Sequence, residues 1–265
     1  MVINMSDFVS AFGSVNPSLM QKLREKADMS DMTDELLAKK KEEINRNTID
    51  FAWKSIQRRK IRACYKLSIW SGDEEIKFKF DDWDVNKQAD VEKARAVGNQ
   101  AYKLTQELMT DSFNVTLYGN SGVGKTSLAI AMMTKLRDEA DKSIMVVSTA
   151  ELASLLDNKY TQDDTRKRLI DIEKALKEVD VLLLDDFGTE GGAINALKPV
   201  RKDMQDYLYR VANSRISGDK TTIITTNNTD DQLKQMYNAK TISRLMTKNK
   251  DHMIFFTNME DVREV

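Results

Sequence analysis

The chain has one cysteine, Cys64, and one histidine, His252, in 265 residues. A lone cysteine excludes an intrachain disulfide and any zinc cluster built from several cysteines. A lone histidine removes histidine-dependent triads and His-rich metal sites. No stretch approaches the ~18 consecutive apolar residues of a membrane-spanning helix. Met1–Ser10 lacks a basic stretch leading into an apolar core, so it does not read as a secretory signal. The expectation is a cytoplasmic protein with no membrane partner, whose chemistry rests on carboxylates, lysines, arginines and hydroxyls. Strong net charge is missing too. At −1, the whole chain offers no general argument for binding nucleic acid. Charge is uneven locally, since Leu36–Lys66 holds ten basic residues against three acidic ones. That segment is either a partner-binding surface or a solvated helix face.

Two regions differ in character. Residues 1–75 contain no glycine-rich loop and no run of buried strands. Ile49, Ala52, Trp53 and Ile56 recur at helical spacing, and Asp34–Cys64 is low in glycine and proline. A small, mainly helical N-terminal domain is expected there, with Trp53 in its core. Ile76–Phe80 alternates apolar and charged residues, as a half-buried strand or an extended linker does. Residues 76–265 then alternate helical stretches with short apolar runs: Val115–Tyr118, Ile144–Val147, Val181–Leu184, Thr222–Thr226 and Met253–Phe256. Such runs suit parallel strands covered on both faces. Ser148–Glu151 and Thr229–Gln232 read as capping boxes that open helices. The pattern predicts an α/β domain of three layers around a parallel sheet.

One loop carries the clearest chemistry. Gly119-Asn120-Ser121-Gly122-Val123-Gly124-Lys125-Thr126 fits G-x-x-x-x-G-K-[ST] at every position and is followed by Ser127. It sits between a predicted strand and a predicted helix, as a phosphate-binding loop requires. Glycines there turn successive N–H groups toward one point, and the helix N-terminus adds to the anion nest. Lys125 is placed to reach the β- and γ-phosphates of ATP, and the Thr126 hydroxyl to bind Mg²⁺. Val181–Leu184 delivers Asp185 and Asp186 to a strand end, where α/β sheets bind ligands. Asp185 is expected in the Mg²⁺ shell, and Asp186 to orient or activate water. Asp186 is one methylene shorter than glutamate, so hydrolysis is less firmly expected than binding. Asn227 ends the next strand as either a γ-phosphate sensor or a turn residue. Arg244 lies on a later helix, as either a surface arginine or a cation that enters a neighbouring site. Lys198, Arg201 and Lys202 cluster around Pro199 as either a solvated loop or a salt-sensitive contact to single-stranded DNA.

Residues from about 78 to 263 resemble the DnaC/DnaI family of replicative helicase loaders, a branch of the AAA+ P-loop ATPases. The resemblance rests on ordered elements: Phe78–Trp83, Asn99–Ala101, Gly119–Thr126, Leu182–Gly188, Leu208–Arg215, Thr225–Asn227 and Ile242–Leu245. It implies Walker A roles for Lys125 and Thr126, and Walker B roles for Asp185 and Asp186. It also implies a sensor role for Asn227, an arginine finger acting in trans at Arg244 and a second sensor arginine at Arg263. Only 38 residues follow Asn227, so the expected AAA+ fold lacks a full C-terminal lid, and a neighbouring protomer would complete the site. The implied partners are a hexameric DnaB-type helicase, single-stranded DNA and further copies of the chain on that helicase. Residues 1–75 depart from the family's zinc-binding variants and are expected to bind the helicase. An IstB-type transposition helper, or a nucleotide-gated module with negligible hydrolysis, remains the alternative.

Overall fold

The computed structural model describes residues 34–72, 74–158, 163–192 and 196–263. The chain divides into two compact units, Met1–Ser55 and Ile56–Val265. Helix α1, Asp34–Lys66, supplies the described part of the first. Trp53 is 53% exposed and its neighbour Phe51 75%, which corrects the expectation that Trp53 lies in a core. The apolar spacing does form a helix, in which Ile49 and Ala52 are half-buried and Trp53 and Ile56 exposed. Among the described side chains of α1, Cys64 alone is fully buried. Beyond Lys66, residues 76–79 run without strand pairing and lead into a 3₁₀ turn at Phe80–Asp82. They are a linker.

The second unit is built around five parallel strands in the order β2-β3-β4-β1-β5. In chain order the elements are α2 (Val91–Glu107), β1 (Val115–Gly119), α3 (Lys125–Ala140), β2 (Ile144–Ser148), α4 (Thr149–Asn158) and α5 (Asp163–Glu178). There follow β3 (Val181–Asp185), α6 (Lys202–Ser217), β4 (Thr221–Thr226), α7 (Asp230–Met236), α8 (Ala239–Leu245) and β5 (Met253–Phe256). All five apolar runs are therefore strands, and the parallel α/β expectation holds. Successive strand residues face opposite sides, which divides the interior in two. Val181 and Leu183 pack with Leu128, Met132 and Leu136 of α3 and with Ala101 and Leu104 of α2. Leu182 and Leu184 pack with Ile172 and Leu176 of α5 and with Leu208 and Val211 of α6. Fully burying one such side chain stabilises the fold by ~1.5–3 kcal/mol.

Local signals set the helix starts. Thr229 accepts from Gln232 N–H at 3.3 Å, and the Gln232 side chain accepts from Thr229 N–H at 2.8 Å, closing the expected capping box. At Ser148 only the Glu151 N–H bond to its hydroxyl forms, at 3.4 Å. Arg215 fixes the amino end of the sheet. It is 1% exposed and donates to the carbonyls of Leu176, Val179, Asp180 and Thr221 and to the Thr222 hydroxyl. One side chain thus ties α5, β3 and β4 to α6.

Candidate nucleotide site

The carboxyl ends of β1, β3 and β4 bring the predicted residues together. After β1 the backbone enters the left-handed region at Gly122 (φ 78°) and Gly124 (φ 93°), conformations that glycine adopts without a Cβ clash. Gly124 is the N-cap of α3 and makes no side-chain capping bond. The first N–H groups of this 16-residue helix therefore have no capping side chain, which suits an anion. Val123 is buried, 1% exposed, and anchors the loop from beneath. Trp83, which ends the 3₁₀ turn at Phe80–Asp82, packs its ring where a Cβ on Gly98 or Gly124 would sit. Its indole N–H donates to the Ala94 carbonyl at 3.0 Å.

Lys125 is 4% exposed and donates to Asn120 O and to Asn227 Oδ1, each at 2.6 Å. Burial lowers its ammonium pKa, while Asp186 and Asp185 act in the opposite direction. Asn227 is therefore joined to the loop lysine across 102 residues, beyond what a turn residue requires. Thr126 Oγ1 donates to Asp185 Oδ1 at 2.8 Å, and Thr225 Oγ1 donates to the same oxygen at 2.6 Å. Burial pushes the Asp185 carboxyl above its ordinary value, against those two bonds. Asp186 follows with φ 53°, and its N–H donates to Thr225 Oγ1 at 2.9 Å. A hydroxyl and a carboxylate already in contact, Thr126 with Asp185, are oxygen ligands of the kind Mg²⁺ takes. The glycine nest beside Lys125 matches a triphosphate in charge and in donor chemistry. A cavity of about 550 Å³ adjoins the loop, bordered by Asn120, Asn227, Asp230 and Phe255.

Arg263 also reaches the loop, donating to Ser121 Oγ at 3.1 Å while pairing with Asp261 at 2.6 Å. Val262 N–H bonds the Gly122 carbonyl at 3.1 Å, so this segment lies directly on the loop. Gln88 secures it through two bonds to the Glu260 backbone, at 2.8 and 2.9 Å. Arg244 is not brought to the site. Its guanidinium donates to Asn213 Oδ1 at 3.2 Å and to Lys240 O at 3.0 Å, and lies 4.9 Å from the Tyr209 ring centre. Arg201 pairs with Asp157 and Asp203, and Lys202 opens α6. Sequence reasoning missed Trp83, Gln88, Thr149, Glu190 and the pairing role of Thr225, all of which meet their partners far along the chain.

A glycine nest with a buried lysine, facing a strand-end aspartate on a β2-β3-β4-β1-β5 parallel sheet, defines a P-loop fold of the AAA+ class. The chain belongs to the family of IstB-like ATP binding proteins, whose model matches residues 26–255. It is 26% identical over 171 residues to the uncharacterized protein YdaV of Escherichia coli K12, spanning 64% of each chain. A 71-residue stretch is 41% identical to the chromosomal replication initiator protein DnaA of Bacteroides thetaiotaomicron, covering 26% of this chain and 14% of that one. Among solved structures, DnaI shares the fold with a TM-score of 0.51 at 21% identity, covering 68% of this chain and 90% of that one. Among the described residues, no helix is long and apolar enough to cross a membrane.

Proposed function

We propose that the chain is a Mg²⁺-dependent ATPase that binds a hexameric DnaB-type replicative helicase and loads it onto single-stranded DNA. The observation that carries the nucleotide part is the junction of Lys125 with Asn227 and of Thr126 with Asp185 at the mouth of the glycine nest. What supports the loader part is the IstB-like family together with the ordered motifs shared with DnaC/DnaI loaders. The backbone N–H groups of Gly119–Thr126 and the Lys125 ammonium hold the phosphates, with Ser127 in the same first turn of α3. Thr126 and Asp185 hold Mg²⁺, which when bound neutralises charge on the β- and γ-phosphates. Asp186 orients the attacking water, Asn227 senses the γ-phosphate, and Arg263 adds a second cation. Arg244 acts across an interface in a homo-oligomer assembled on the helicase. Residues 1–75 provide the helicase contact, residues 76–265 the ATPase, and Lys198, Arg201 and Lys202 the contact to single strands. The setting is the cytoplasm.

The test is capture from the native host with tagged full-length chain, with and without ATP. Recovery of a hexameric helicase, strengthened by ATP and lost without residues 1–75, is the expected result. Recovery of an integrase-fold transposase instead would make the chain an IstB-type transposition helper. ATP-dependent capture without measurable turnover would make it a nucleotide-gated binding module.

A further inference from the structure

Asp186 has φ 53°, in the left-handed region that Asp141, Asp219 and Asn258 also adopt. Aspartate tolerates that region better than most side chains, and what sets Asp186 apart is the set of bonds that hold its turn. From the β4 side, Thr225 Oγ1 accepts from Asp186 N–H at 2.9 Å, Thr225 O accepts from Phe187 N–H at 2.8 Å, and Thr226 Oγ1 donates to Phe187 O at 2.6 Å. The opposite side depends on Glu190. Its Oε2 accepts from Gly188 N–H at 3.1 Å and from Thr149 Oγ1 at 2.9 Å. Thr149, 0% exposed at the start of α4, also lies 3.1 Å from Asp186 O and 3.3 Å from Asp185 O. One hydroxyl proton thus serves three oxygens across the acidic turn. Glu190 Oε1 is closed off from solvent and has no hydrogen-bond partner among the described residues.

An orphaned carboxylate oxygen in a protein interior costs stability, and an apolar residue of similar size would avoid that cost. Burial raises the Glu190 carboxyl to about 7, and the nearby Asp186 charge adds to the rise. The bonds of Glu190 run to the turn, away from the glycine nest, so its role is positional.

We propose that Glu190 is a positioning residue for ATP hydrolysis, clamping Gly188 and Thr149 so that the 186–188 turn holds the Asp186 carboxylate toward the attacking water. This rests on the hydrolytic reading above. An interaction that only aligns the water-orienting group lowers kcat and spares ground-state nucleotide affinity.

The experiment measures kcat and ATP-analogue affinity for full-length wild type, Glu190→Ala, Glu190→Gln and Thr149→Val, under conditions in which wild type turns over. Glu190→Ala should lose about tenfold or more in kcat with affinity within about twofold. Thr149→Val keeps the volume but removes the hydroxyl, and it should show the same split even if Glu190→Ala misfolds. Glu190→Gln keeps an accepting oxygen at the Oε2 position and should recover most of the lost rate. Unchanged kcat in both Glu190→Ala and Thr149→Val overturns the proposal. So does a parallel loss of rate and affinity, and so does a Glu190→Gln variant as slow as the alanine variant. Absence of hydrolysis in wild type, alone or with helicase, overturns the ATPase reading itself and is distinguishable from all of these.

Discussion

Strand β3 has an aspartate at each end, and the two are treated in opposite ways. Asp180, just before the strand, accepts from Ser143 N–H, Ser143 Oγ and Lys220 Nζ at 2.9, 2.6 and 2.6 Å. Burial works against its ionisation, yet those bonds hold its carboxyl at about 2. Asp185, the last residue of the strand, has only two hydroxyl donors, and burial raises its carboxyl instead. The cations do not repeat that contrast: both have neutral acceptors, and burial lowers the pKa of Lys125 and brings that of Arg215 down to about 9. They differ in how fully they are bonded, Arg215 through five bonds and Lys125 through two. The amino end pairs its carboxylate with Lys220 and hydrogen-bonds its guanidinium throughout. The other buries charges that a bound phosphate and a divalent cation would offset.

The largest expected effect concerns what the carboxyl end lacks. Arg244→Ala should lower kcat by about 10³-fold, within the range known for arginine fingers, and leave ATP affinity unchanged. Mixing it with Lys125→Ala should restore part of the rate, because each variant supplies what the other has lost. A wild-type rate independent of protein concentration, with no rescue on mixing, would show that the site is complete within one chain.

Next comes the amino end. Arg215→Met leaves several buried carbonyls without their donor, and should cost about 3 kcal/mol in denaturant unfolding. A loss below about 1 kcal/mol would mean that water replaces the guanidinium there, and the contrast between the two ends would weaken.

The sharpest form of the comparison is the same substitution at both ends of β3. The folded-state pKa of Asp180 is depressed, so its contribution is present above the unfolded value near 4 and is lost as pH falls toward about 2. Asp180→Asn should therefore cost about 2 kcal/mol at pH 7 and flatten the acid limb of the stability curve. The pKa of Asp185 is raised, so its favourable contribution lies below the unfolded value and is lost as pH rises through the folded one. Asp185→Asn should thus raise the melting temperature of the nucleotide-free protein at pH 7 while removing the Mg²⁺ dependence of ATP binding. Destabilisation by both substitutions would contradict the assignment of unequal roles.

Much of this was legible in the sequence because its signals are local. Five apolar runs gave five strands, since a parallel sheet covered on both faces needs nothing else. The loop at Gly119–Thr126 was legible because a phosphate nest is built from consecutive residues. The roles of Thr149, Glu190 and Arg215 were not, because each depends on a bond to a distant segment, 41 residues away for Thr149 with Glu190 and 36 for Arg215 with Val179, and a lone threonine or glutamate carries no local mark of burial. Asn227 was ambiguous for the same reason until its contact with Lys125 appeared. Trp53 failed in the opposite direction. Helical spacing predicts a face but not what covers it, and Trp53 remains half exposed.

Binding of nucleotide at the carboxyl end is tested most directly by calorimetric titration of Mg-ATP into wild type and Lys125→Ala. Wild type should bind about one nucleotide per chain and should bind more weakly without Mg²⁺. Loss of a buried, charge-assisted phosphate contact should weaken the Lys125→Ala variant by about 100-fold or more. Equal affinity in the two proteins, or no binding by wild type, would contradict it.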